Sequence, residues 1–107
     1  MWPFKKKKQE DKVSFRREMA AKIASHRIKY VSERDGDTDI VIGRDGGFNI
    51  RNGEFIVSAD NRVIFRAKVD DLQASELMSL DGVILTAHDI EHDGQLRTII
   101  AYYVYFR

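Results

Sequence analysis

His88, Glu91 and His92 stand in the order His-x-x-Glu-His, and that order has a chemistry. On a helix, two histidines one turn apart bring both imidazoles to a single zinc ion, and the glutamate activates the metal-bound water. The surrounding residues predict a different local structure. His88 closes the β-type run Val83-Ile84-Leu85-Thr86-Ala87, and His92 leads into the turn pair Asp93-Gly94, so the segment reads as the tip of a hairpin. A downstream carboxylate ligand is also missing, because beyond Asp93 the chain contains no Asp, Glu, His or Cys. A metal-dependent hydrolase at His88, Glu91 and His92 therefore ranks below the readings that follow, and no cofactor is expected.

Asp35, Asp37 and Asp39 offer carboxylates at alternate positions, as a calcium-binding loop does. Such a loop also needs Gly at its sixth position and Glu at its twelfth; Ile40 and Gly46 occupy them, and a solvated turn is the expected structure. Gly43-Arg44-Asp45-Gly46-Gly47 could cradle a phosphate through backbone N–H groups, but Phe48-Asn49-Ile50 follows in place of a helix, so a bulged hairpin is expected. The serines at 14, 25, 32, 58, 75 and 79 sit in no recognisable nucleophile sequence. His26 lies one turn beyond Ile23 and reads as a residue flanking the core.

Trp2 and Phe4 next to Lys5, Lys6, Lys7 and Lys8 have the composition of an interfacial anchor, with rings at headgroup depth and ammonium groups on anionic lipid. The charge distribution agrees with a basic arm. Residues 1–30 hold ten Lys or Arg against three Asp or Glu, and the remainder holds eight against fourteen. A peripheral protein on an anionic membrane or another polyanion is therefore the second functional reading, although a solvated tail explains the same residues. Tyr102, Tyr103 and Tyr105 suggest base stacking, yet stacking platforms need basic neighbours and the body is acidic. Core packing or a homodimer interface is the better account of these tyrosines, and nucleic acid is not an expected partner.

These residues must be positioned by a single small domain. The chain has 107 residues, 43% of them hydrophobic, with no cysteine and a net charge of +1. That excludes disulfides, thiolate catalysis and Cys-type metal sites. No apolar run reaches signal-peptide or membrane-span length, and the expected location is the cytoplasm. Residues 1–12 read as a flexible basic tail and 13–107 as one α+β domain.

From Ser14 to about Tyr30, Phe15, Met19 and Ile23 recur at a spacing of four and predict an N-terminal amphipathic helix. The period then drops to two. Turn signals at Asp35-Gly36, Asp45-Gly46-Gly47, Asn52-Gly53, Asp60-Asn61 and Asp93-Gly94 predict an antiparallel β-meander of six or seven strands, bent or barrel-like. Asp70 through Met78 predicts a second short helix, with Asp70 as N-cap. In Arg62–Lys68, the alternation predicts that Val63, Phe65 and Ala67 share the core face. Thr98–Phe106 is apolar on both faces and predicts a strand in the interior of the sheet. The leading functional expectation is a non-enzymatic binding, regulatory or accessory domain for a protein or small-molecule ligand.

Overall fold

The computed structural model describes residues 16–104. Residues 16–24 are helical (α1), and Met19, Ala20, Ile23 and Ala24 lie against the core as the spacing requires. The helix stops earlier than the sequence suggests. His26 N–H bonds to Ile23 O at 3.0 Å, and from residue 27 the exposure alternates with period two, Ile28 being buried between exposed Arg27 and Lys29. The predicted N-cap, Ser14, and most of the basic arm lie outside the described residues.

Seven strands follow: β1 (Arg27–Asp35), β2 (Thr38–Arg51), β3 (Glu54–Ala59), β4 (Arg62–Lys68), β5 (Gln73–Glu76), β6 (Gly82–Asp89) and β7 (Gln95–Tyr103). They form one antiparallel sheet in the order β4-β3-β2-β1-β7-β6-β5. β7 lies between β1 and β6, and Ile99 and Ile100 are both buried although they face opposite sides. The sheet curls until β4 comes against β6, but no ladder joins β4 to β5, so it is not a closed barrel.

Three expectations need correction. The second helix is absent: Val69–Asp71 forms a single 3-10 turn and Gln73–Glu76 then pairs with β6. Asp71 accepts the backbone N–H of His88 at 2.8 Å, which ties the turn to β6, and Leu72 is buried. Asp45-Gly46-Gly47 is not a hairpin loop either. β2 continues through it, turning at Asp45 with φ +52°, while Gly46 packs so tightly on β3 that a Cβ there would stand 1.7 Å from Ser58 O. Finally, the β3–β4 register slips between Val57 and Ser58, opposite Ile64. This bulge turns Ile64 inward at 6% exposure and leaves Val63 at 41%.

The two ends of the curled sheet differ. Where β1 and β6 begin and β2, β4 and β7 finish, α1 covers the core, with Lys22 paired to Glu76 and His26 stacked on Tyr103 at 3.9 Å. The opposite end carries the Asp60-Asn61 turn, the Ile90–His92 3-10 turn and a group of charged side chains. No helix among the described residues is long and apolar enough to cross a membrane.

Candidate functional site

Alternation along three adjacent strands places a charged residue at the last inward-facing position of each. Val83, Leu85 and Ala87 point to the core along β6, and Asp89 extends the series; Ile99 and Ala101 do so along β7, and Arg97 extends it; on β1, Glu33 follows Val31. Asp89 is fully buried and Arg97 is 8% exposed.

Burial of such groups requires that each polar atom find a partner. Arg97 forms a two-pronged bond to Glu33, Nε to Oε2 at 2.8 Å and Nη2 to Oε1 at 2.6 Å. Its Nη1 donates to Asp89 Oδ2 and to the backbone carbonyl of Ile64, the latter at 3.2 Å. Asp89 Oδ1 accepts the backbone N–H of Arg66 at 3.0 Å and that of Glu91 at 2.9 Å. The Arg97 fork holds the Glu33 carboxyl below its ordinary pKa, and the same bond raises that of Arg97.

His92 completes the group. Its Nδ1 lies 2.7 Å from Asp89 Oδ2 and 2.9 Å from Arg97 Nη1. The two hydrogens on Nη1 are taken by Asp89 and Ile64 O, so the proton between the imidazole and Asp89 belongs to Nδ1. In the neutral ring, Nε2 then carries a lone pair, and protonation turns that nitrogen into a donor.

Above these groups opens a cleft of about 320 Å3, lined by Glu33, Arg97 and His92 and by Ile42, Arg62, Val63 and Ile64. Arg62 is exposed and makes no ion pair among the described residues. Two grooves flank α1. One, of about 330 Å3, is lined by Arg17, Ala20, Ile50, Gly53, Val69 and Asp70, where Arg17 and Asp70 are already paired. The other, of about 190 Å3, lies beside Met19 and Leu72. Neither has a buried charged residue such as Arg97 in its lining.

The residues singled out from sequence are spread apart. His88 is exposed and turned to Asp71, with Nδ1 3.0 Å from Oδ2; Glu91 pairs with Arg66 at 3.0 Å; only His92 faces the cleft. Among the described residues no group of three or more His, Asp or Glu is arranged to hold a metal ion. Tyr103 is buried against His26 and Phe48, whereas Tyr102 lies on the outer face of the sheet, stacked on Tyr30 at 4.5 Å. Tyr105, Trp2, Phe4 and Lys5 to Lys8 lie outside the described residues. Glu33, Asp89 and Arg97 escaped the sequence reading, although charged residues continuing an inward-facing series were a visible signal.

No family model, curated protein or solved structure matches the chain.

Proposed function

We infer that the chain is a small, non-enzymatic binding domain whose ligand occupies the cleft between β1, β2, β4 and the Ile90–His92 turn. The observation that carries this reading is the rigid floor of the cleft. Asp89, Arg97 and Glu33 bond to one another and to the backbones of β4 and the turn, which fixes a shape and leaves few groups free to react. Ile42, Val63 and Ile64 supply an apolar wall, and the volume of about 320 Å3 falls at the small end of the range for ligand pockets.

A ligand that binds only the folded chain raises its melting temperature by mass action. The test is a thermal-shift screen of small molecules on the full chain, repeated on Val63→Trp, which obstructs the cleft from its exposed rim. Compounds that stabilise the parent but not the variant support the reading. No stabilising compound, or equal stabilisation of both chains, overturns it.

The charge division along the chain supports a second reading, in which the basic arm with Trp2, Phe4 and Lys5 to Lys8 holds the domain on an anionic membrane. Co-sedimentation with anionic and neutral vesicles tests it, comparing the full chain with one beginning at Glu10. Salt-sensitive, tail-dependent binding to the anionic vesicles is the expected result, and equal sedimentation of the two chains contradicts it.

A further inference from the structure

Glu33, the acid that lines the cleft, is already paired, whereas two of the three basic lining groups, Arg62 and His92, are not fully used. Both oxygens of Glu33 accept from Arg97, and the Asp89 carboxylate lies buried beneath four donors: the Arg66 and Glu91 amides, Arg97 and His92. Two lining groups keep bonding capacity. The Arg62 guanidinium makes no ion pair among the described residues, and Nε2 of His92 is left over once Nδ1 binds Asp89. Arg62 can only donate, and His92 donates from Nε2 when protonated.

We propose that the cleft takes the carboxylate of a small, largely apolar acid, gripped by Arg62 and the Nε2–H of protonated His92, with its hydrocarbon body on Ile42, Val63 and Ile64. This rests on the reading of the cleft as a ligand site and names the chemistry of the ligand. A cationic ligand would meet Arg62 at the rim, and the one acid of the lining, Glu33, already has its charge paired with Arg97. A neutral polar ligand would leave the guanidinium without a counter-charge.

Binding is coupled to protonation. The groups facing His92 are Asp89 from β6, Arg97 from β7, Glu33 from β1 and Arg62 from β4, with Glu91 beside it in the turn. The incoming carboxylate adds a negative charge to this set and so favours the imidazolium, the form that donates from Nε2.

Three probes of one shape and different charge test the proposal: benzoate, benzamide and benzylammonium, each titrated into the full chain and followed by amide chemical shifts. Benzoate is expected to move the cleft amides, to bind more weakly as pH is raised, and to lose about tenfold in affinity in Arg62→Met. His92→Gln is expected to remove the pH dependence. Benzylammonium or benzamide binding in the cleft in preference to benzoate overturns the anion assignment and leaves the cleft a binding site. Failure of all three to perturb it also overturns the assignment, and the Val63→Trp screen decides separately whether the cleft binds anything. Benzoate affinity unchanged in Arg62→Met contradicts the assigned grip.

Discussion

The carboxylate of Asp89, at the end of β6, accepts the backbone N–H of Arg66 on β4 at 3.0 Å, across a gap that no ladder spans. Arg97 donates to the carbonyl of Ile64, two residues earlier on the same edge. A neighbouring strand would bond to a C=O and an N–H spaced in this way. Two side chains therefore stand in for a strand, satisfy the exposed edge of β4 and hold the curl of the sheet. The cleft floor is a by-product of that closure.

Asp89→Ala removes the pin and strands Arg97 as a buried charge with Glu33 as its remaining acidic partner. The expected loss is about 3–5 kcal/mol, read from urea denaturation. Because Asp89 and Arg97 act as one unit, Asp89→Ala combined with Arg97→Met is expected to cost clearly less than the sum of the two single changes. Additive costs would show that the two residues act independently.

Acid should weaken the fold in a residue-specific way. The Arg97 fork depresses the pKa of Glu33 from its ordinary 4.5, so the ionised carboxylate favours the folded state. That contribution is complete above the unfolded pKa and disappears as pH falls through the lower folded value. Asp71 acts in the same direction, chiefly through the backbone N–H of His88. The urea midpoint is expected to drop as pH falls from about 6 to about 3, and Glu33→Gln to flatten part of that slope. An unchanged slope in Glu33→Gln would contradict the role given to the fork.

Much of the fold was legible because it depends on local chemistry. Asn52-Gly53 and Asp60-Asn61 adopt positive φ at both positions, as tight hairpins require. The apolar stripe of Met19 and Ile23 marked the helix, and the two-sided run around Ile99 and Ile100 marked an interior strand. What stayed hidden depends on neighbours distant in sequence. Asp45-Gly46-Gly47 carries the signals of a turn, but Gly46 is small because β3 presses on it, a fact that resides in Ser58. The Ile64 bulge reverses the faces of part of β4 and is set by the β3–β4 register. The site was hidden for the same reason, since Glu33, Asp89 and Arg97 meet only when three strands end side by side.

The glycines of β2 give a sharp contrast. Gly46→Ala forces a Cβ into Ser58 O and is expected to cost about 3 kcal/mol or more, whereas Gly47→Ala meets open space and should stay within about 1 kcal/mol. Thermal denaturation of the two variants checks this, and equal costs would contradict the observed packing.

The bulge in β4 makes a similar prediction about neighbours. Ile64→Ala removes a buried side chain and is expected to cost about 2–5 kcal/mol, while Val63→Ser, at an exposed position, should cost about 1 kcal/mol or less. The reverse order would restore the simple alternation in which Val63 faces the core.

Leu80 sits in the loop between β5 and β6 with φ +62° and a largely exposed side chain. Leu80→Gly relieves the left-handed backbone and is expected to leave stability unchanged or raise it by up to about 1 kcal/mol. A clear loss would mean that the side chain makes contacts beyond this exposed position.

Amide chemical-shift mapping of the full chain against a small-fragment library decides whether the open end of the sheet is a binding site. Fragments are expected to perturb Glu33, Ile42, Val63, Ile64, His92 and Arg97 together. Fragments that gather instead in the grooves beside α1, around Met19 and Leu72 or Ile50 and Val69, or that bind nowhere, would contradict it.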